Sequence, residues 1–261
     1  MSSSVFSCRQ GSGHDLVLLH GWGVNSGVWS SLIELISTDF RITCIDLPGF
    51  GGSSDCLPEQ YNLASVSDLI VPHIPSNSVI LGWSLGGLVA SHIAINAKVP
   101  LRGLINVASS PKFVATDNWP GISSQVLQMF TQQLNGDFTK TLDRFLAIQA
   151  MGSDSARQDV KALKKSIVQH PQPATEALYG GLNILQTADL RADLAQLTLP
   201  VLNCYGKLDS LVPQKAHLPI TQLYPPTHQT EVFAKASHAP FISAQQDFAK
   251  RVVKFMHSIT P

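Results

Sequence analysis

The sequence predicts an α/β fold: a mostly parallel central sheet with helices on both faces. Three observations carry that expectation. Short apolar runs of strand length alternate with helix-patterned segments at both ends of the chain. One such run, Ser78-Val79-Ile80-Leu81, feeds Gly82-Trp83-Ser84-Leu85-Gly86-Gly87, a Gly-x-Ser-x-Gly string set between a strand and a helix. The alternation stops from about Lys112 to Ala188 and then resumes, as a helical insertion in a parallel sheet would make it.

Taken in order, Leu16-Val17-Leu18-Leu19 is the continuous apolar run of a central parallel strand, and it ends in the loop His20-Gly21-Trp22-Gly23. A helix is expected over roughly 28–36. The next strand, Ile42-Thr43-Cys44-Ile45-Asp46, opens into the turn Leu47-Pro48-Gly49-Phe50-Gly51-Gly52-Ser53. After the Ser84 turn, Leu88 to Ala94 reads as a packed helix and Leu104-Ile105-Asn106-Val107-Ala108 as a strand. In the insertion, apolar residues fall at helical spacing: Val126, Leu127, Phe130 and Leu134, then Leu142, Phe145 and Leu146. Breaks fall at Pro120-Gly121, Asn135-Gly136, Gly152-Ser153, Pro171, Pro173 and Gly180-Gly181. A stretch this long and this patterned is not a loop. Strands at about 199–206 and 230–233, each followed by helical sequence, complete the sheet. The expected organisation is one domain over 1–261 with the insertion at about 112–188.

Composition bounds the function class. The 18 Lys and Arg balance the 18 Asp and Glu, so no global charge calls for nucleic acid or an anionic membrane. Residues Leu69 to Ala97 carry no Asp, Glu, Lys or Arg, but Pro72, Pro75, Asn77 and the glycines punctuate them as strand, turn and helix, not as a membrane span. Met1-Ser2-Ser3-Ser4-Val5-Phe6 lacks the basic and apolar regions of a signal peptide. The cysteines Cys8, Cys44, Cys56 and Cys204 are scattered, with no CxxC pair and no metal-ligand spacing. We therefore expect a soluble, cytoplasmic protein with reduced thiols and no metal, and nothing in the sequence asks for more than a monomer.

The chemistry follows from Ser84. A serine hydroxyl is a weak nucleophile until a base takes its proton, and that base needs an orienting acid. In an open parallel sheet the partners belong at the carboxyl ends of strands. His238, in Ala236-Ser237-His238-Ala239-Pro240-Phe241, follows the last expected strand and is the candidate base. His20 ends the first strand as a neighbour of the site. His14 and His257 lie near the termini, His92 lies in the helix after Ser84, and His73, His170, His217 and His228 sit by prolines or in polar loops. Asp209 follows the preceding strand and is the candidate acid, ahead of Asp189 and Asp193, which lie in polar, helical sequence. The chain order Ser, Asp, His is the one used by serine hydrolases of this topology. An acyl-transfer site also needs oxyanion donors: the backbone N–H of Leu85, directly after the nucleophile, and that of Trp22 in the first glycine-flanked loop.

With these residues placed, the chain resembles the α/β-hydrolase family and, more closely, its pimeloyl-[acyl-carrier protein] methyl ester esterases. The resemblance is carried by Leu18-Leu19-His20-Gly21-Trp22-Gly23, Asp46-Leu47-Pro48-Gly49-Phe50-Gly51, Leu81 to Ser91 around the elbow, Val107-Ala108-Ser109-Ser110-Pro111, and Ala234 to Ser243. Arg144-Phe145-Leu146-Ala147-Ile148-Gln149-Ala150-Met151-Gly152 and Ala156-Arg157-Gln158-Asp159 continue it through the insertion, which the resemblance makes a lid. It implies a substrate whose methyl ester caps a pimeloyl chain carried on acyl carrier protein, a triad of Ser84, Asp209 and His238, and no cofactor. It also implies substrate contacts from Trp22, Ser84, Leu85, Phe145, Leu146, Ala147, Ile148, Gln149 and His238.

An acidic carrier protein needs a basic patch on a neutral enzyme. From Lys140 to Lys165 the chain carries six Lys or Arg against Asp143, Asp154 and Asp159, a net +3. Lys140 with Arg144, and Arg157 with Lys161, are each four apart and share a helix face, so these four are the candidate docking residues. Lys140 and Lys161 stand where the resemblance implies arginine, keeping the charge without the bidentate fork. The alternatives are an esterase acting on free short-chain esters, and a non-catalytic binding relative. The complete Ser-Asp-His order argues against the second.

Overall fold

A seven-stranded sheet in the order β1-β3-β2-β4-β5-β6-β7 organises the molecule. The structure, a computed structural model, describes residues 4–134, 136, 138–151, 155–167 and 170–259. The strands are β1 (Ser7–Gln10), β2 (His14–Leu19), β3 (Phe40–Ile45), β4 (Ser78–Trp83), β5 (Leu101–Val107), β6 (Val201–Gly206) and β7 (Gln229–Phe233). All neighbours run parallel except β1, which pairs antiparallel with β3. The apolar runs are the interior strands because both of their faces are covered. Along β2, Val17 and Leu19 enter one core cluster while Leu16 and Leu18 enter the other.

The helices outside the insertion are α1 (Ser30–Ile36), α2 (Leu63–Ile70), α3 (Leu85–Asn96), α8 (Gln214–Thr221), α9 (Pro240–Ser243) and α10 (Gln245–Ser258). Helices α2, α3 and α8 cover one face with residues such as Val66, Val89 and Ile220. Helices α1 and α10 cover the other with Leu32, Phe248 and Phe255. Between β5 and β6 come four inserted helices, α4 (Ser124–Leu134), α5 (Phe138–Ala150), α6 (Ala156–Ile167) and α7 (Thr175–Thr187), preceded by the isolated bridges Val114↔Ile122 and Thr116↔Trp119. The lid leaves and rejoins the sheet at one place, where the Leu190 N–H donates to Pro111 O at 2.9 Å.

Three features depart from the sequence reading. Strand β1 is absent from it because Ser7-Cys8-Arg9-Gln10 is polar and exposed throughout, an edge strand held by its neighbour's ladder. The helix expected over 28–36 is a 3-10 turn, Ser26–Trp29, that passes into α1. The scattered cysteines include a pair brought together by the fold: Cys8 stands opposite Cys44 across β1 and β3, both as free thiols. Among the described residues, no helix is long and apolar enough to cross a membrane.

Candidate active site

Ser84 lies between the end of β4 and the start of α3 with φ 55° and ψ −116°, a backbone conformation that L-residues rarely adopt. The surrounding backbone over-determines it. The Ser84 N–H donates to Val107 O at 2.9 Å, while its carbonyl accepts from Gly87 N–H at 3.0 Å and from the Ser109 hydroxyl at 2.8 Å. The glycines are steric requirements: a Cβ on Gly82 would lie 2.2 Å from Gly86 O, and one on Gly86 would lie 2.4 Å from His20 O. Strand and helix can cross this closely only without side chains there.

The carboxyl ends of β6 and β7 bring Asp209 and His238 together. His238 Nδ1 lies 2.8 Å from Asp209 Oδ2, with both side chains fully buried. The other carboxylate oxygen, Oδ1, accepts from the Leu211 N–H at 2.8 Å and the Val212 N–H at 3.0 Å. The Asp209 carboxylate is thereby bonded through both oxygens, and its contact with Nδ1 turns the other ring nitrogen, Nε2, away from the acid. Nε2 is buried and has no hydrogen-bond partner, so the bond to Ser84 Oγ is open in this arrangement. The His238 backbone is held too: its N–H donates to Gln149 O at 2.9 Å and its carbonyl accepts from the Trp83 indole Nε1 at 2.7 Å.

Trp22 and Leu85 are both buried beside this centre. The Trp22 indole Nε1 donates to Leu178 O of α7 at 2.9 Å, and its ring meets Phe145 of α5 edge-on at 4.7 Å. Below the loop, His20 is a brace. Its Nε2 accepts from the Leu47 N–H at 2.9 Å and its Nδ1 donates to Gly21 O at 2.8 Å. Burial pushes the His20 pKa down, keeping the ring neutral as that arrangement requires. Asp46 is the second brace, accepting from the Ser26 N–H at 2.6 Å and the Gly52 N–H at 2.7 Å.

Ser84 opens onto an apolar pocket lined by Phe113, Ile122, Leu127, Phe130, Phe145 and Leu185, among others. Its free volume is about 10 Å³, the least that one water needs. Ser84 itself is buried beneath the inserted helices. Of the segment 145–149, Phe145 lines this pocket, whereas Leu146 turns to the cleft between α5 and α6 and Ala147 is exposed. Ile148 is half-buried against the core, and Gln149 reaches the site through its carbonyl, its side-chain Oε1 being buried without a partner.

Lys140, Arg144, Arg157 and Lys161 are exposed on α5 and α6. Asp143 and Lys164 join those two helices by an ion pair at 2.7 Å. Asp154, one of the three acids counted there, lies outside the described residues. The rival histidines are occupied elsewhere: His217 belongs to α8 and stacks on Tyr205 at 4.2 Å, and His92 contacts the Ser67 hydroxyl at 3.0 Å. Asp189 binds Arg191 and Lys112 after the end of α7, in a loop and not in helical sequence. Among the described residues, no three of His, Cys, Asp and Glu are grouped to hold a metal ion.

Sequence reasoning missed Trp83, Ser237 and the carbonyls of 149 and 151. In Gly-x-Ser-x-Gly the second position is unconstrained, so nothing in the string marks Trp83 as the donor to the His238 carbonyl. Only the adjacency of Ser237 to His238 hinted at its place.

A family model described as the alpha/beta hydrolase fold matches residues 16–245. The chain is 48% identical over 250 residues to the pimeloyl-[acyl-carrier protein] methyl ester esterase of Yersinia pseudotuberculosis serotype O:1b (strain IP 31758), covering 96% of this chain and 95% of that one. To the protein of the same name from Vibrio parahaemolyticus serotype O3:K6 (strain RIMD 2210633) it is 48% identical over 255 residues, covering 98% and 99%. Among solved structures, an esterase from Exiguobacterium antarcticum superimposes with a TM-score of 0.85 at 22% identity, covering 96% of this chain and 94% of that one, a likeness of fold.

Proposed function

Because the chain belongs to the α/β-hydrolase family, and within it to the pimeloyl-[acyl-carrier protein] methyl ester esterases, we propose that it cleaves the methyl ester of pimeloyl-[acyl-carrier protein]. The products are pimeloyl-[acyl-carrier protein] and methanol, and the step belongs to biotin biosynthesis. The observation that carries the reading is the buried 2.8 Å contact of His238 with Asp209 beside a serine held in a strained turn.

On this reading His238 Nε2 takes the Ser84 proton as Oγ attacks the ester carbonyl. The backbone N–H groups of Trp22 and Leu85 receive the oxyanion. Collapse of the tetrahedral intermediate expels methoxide, which leaves as methanol with the proton from His238. Water, deprotonated by the same imidazole, then attacks the acyl-enzyme and frees the carboxylate and Ser84. Asp209 stays ionised and stabilises the imidazolium formed at each step. The reaction uses no metal and no organic cofactor.

The acyl chain runs past Phe145, the one residue of 145–149 that lines the Ser84 pocket, and the carrier protein docks on the basic face of Lys140, Arg144, Arg157 and Lys161. The exposure of all four on adjacent helices supports that docking. The same reading takes the protein as a cytoplasmic monomer. Replacing Ser84 by Ala tests the nucleophile: the fold persists by circular dichroism and ester hydrolysis disappears, whereas wild-type turnover in that variant would refute it.

A second reading, a carboxylesterase for free short-chain esters, is favoured by one observation: the pocket beside Ser84 is small and apolar. Turnover of the carrier-bound methyl ester against a short aryl ester separates the two. Arg144→Glu with Arg157→Glu lowers only the carrier-bound rate if docking uses this face.

A further inference from the structure

Helix α5 and the residue just beyond it reach the site at three places, Phe145, Gln149 and Met151. Lys140 and Arg144 stand on the exposed side of the helix. Phe145 packs against Trp22 and lines the pocket of Ser84. Near its end, Gln149 O receives the His238 N–H at 2.9 Å, and just beyond it Met151 O receives the Ser237 hydroxyl at 2.9 Å. The last two bonds join the lid to the loop that carries the base.

Ser237 is fully buried, and its hydroxyl also lies 3.4 Å from Leu208 O, next to Asp209. That second contact is not what holds the acid and base loops together. The Leu208 N–H already donates to Ala236 O at 3.0 Å, and the Lys207 N–H to Phe233 O at 3.0 Å. What the hydroxyl adds is the tie to Met151. His238 itself is clamped at both main-chain atoms, so its ring is re-aimed by movement of its loop, and that loop is fastened to the end of α5. Two further facts make this matter. His238 Nε2 has no partner, and the pocket over Ser84 has too little room for an acyl chain. An acyl chain entering this pocket would have to move its α5 wall, and the end of that helix is bonded to the loop of His238.

We propose that Ser237 is a positioning residue for ester hydrolysis: its hydroxyl carries the seating of α5 to the loop of His238, so that displacement of the lid by substrate aligns the imidazole with Ser84. The inference rests on the assignment of Ser84 and His238 above, and not on the identity of the carrier.

The test is Ser237→Ala, which removes one buried oxygen and no carbon. Kinetics use a short aryl ester, whose turnover needs no carrier protein, and active sites are titrated with a fluorophosphonate that labels Ser84. The expected result is a fall of about tenfold in kcat per titrated site and in the labelling rate. KM changes little, and the melting temperature stays within a few degrees. Hydrogen exchange rises together in peptides spanning 146–151 and 236–241. Wild-type kcat and labelling rate in Ser237→Ala overturn the proposal. So does a lowered melting temperature with kcat per site intact, because that is a purely structural role. Exchange that rises in one peptide alone overturns the coupling. Failure of the nucleophile assignment would appear separately, as turnover retained by Ser84→Ala.

Discussion

Gly181, in the middle of α7, sits against both residues proposed to hold the oxyanion, and its substitution by alanine is a direct test of that proposal. A Cβ there would lie 2.6 Å from Trp22 Cδ1, 3.1 Å from Trp22 Nε1 and 3.2 Å from Leu85 Cδ2. Ordinary contact begins near 3.4 Å, so the indole has to retreat by about 0.8 Å against normal van der Waals limits. It cannot swing away freely, because Nε1 is bonded to Leu178 O on the same helix and Phe145 stands against the ring. The strain passes to the Gly21–Gly23 backbone, which carries the N–H proposed as an oxyanion donor. Alanine in a helix interior contributes about 0.5–1 kcal/mol over glycine, while overpacking costs about 1–3 kcal/mol. Net destabilisation is then at most about 2.5 kcal/mol, and the protein remains folded. Loss of an oxyanion donor costs roughly 10²–10³ in kcat, so partial displacement lowers it by about ten- to a hundredfold. The matched control is Gly180→Ala, whose Cβ would strike Tyr61 Cδ1 at 2.3 Å and leave Trp22 alone. The assay is kcat per titrated site on a short aryl ester, beside thermal melts. Turnover of Gly181→Ala within twofold of wild type, or an equal loss in both variants, would refute the role of Trp22.

Other expectations concern the supports of the site. Trp83→Phe removes the donor that His238 O accepts at 2.7 Å; kcat falls about tenfold and stability by about 1–3 kcal/mol, and an unchanged kcat would count against a role in aiming the base. Cys8 is lowered to about 7 by its hydrogen bond with the Cys44 thiol, so iodoacetamide labels it half-maximally near that pH, with the rate falling below it as the thiolate is protonated. Peptide mass spectrometry reads this, and a midpoint near 9 would disprove it. His20, His92 and His217 have pKa values lowered mainly by burial. The unfolded chain then binds more protons than the folded one below the ordinary histidine value of about 6.5. Their contribution is complete above that pH and is lost as pH falls toward the folded values. Melting temperature declines between about pH 6.5 and 5, and a flat profile in scanning fluorimetry across that window would contradict the assignment.

Much of the frame was legible because its physics is local. Four-residue apolar runs mark strands covered on both faces, and Leu16–Leu19 and Ser78–Leu81 are such strands. The glycines at 82 and 86 announce a crossing that tolerates no Cβ. The order of Ser84, Asp209 and His238 located three side chains at the carboxyl ends of β4, β6 and β7, because that end is where loops of a parallel sheet converge. What stayed hidden depends on contacts distant in sequence. Strand β1 has no apolar pattern of its own and exists through β3. Helical periodicity places Phe145 and Leu146 together on an apolar face, yet they enter different core clusters because α5 straddles the two. The support of His238 comes from Trp83, 155 positions away, and from main-chain carbonyls that no residue type reveals.

The meeting of the lid's two ends has a consequence for how such a protein can change. Strands β5 and β6 pair directly, Leu104 with Val201 through Val107 with Cys204, and the excursion between them begins and ends at the Leu190–Pro111 hydrogen bond. Topologically the insertion is one long detour through a single gate, so a different helical segment can be spliced there without re-threading the sheet or moving the strand ends that carry Ser84, Asp209 and His238. The pocket walls are therefore exchangeable cargo, and the sheet with the proposed reaction centre is the chassis. The splice meets one condition: a replacement lid must still offer carbonyls where those of Gln149 and Met151 stand, or the histidine loses its anchorage along with the old pocket.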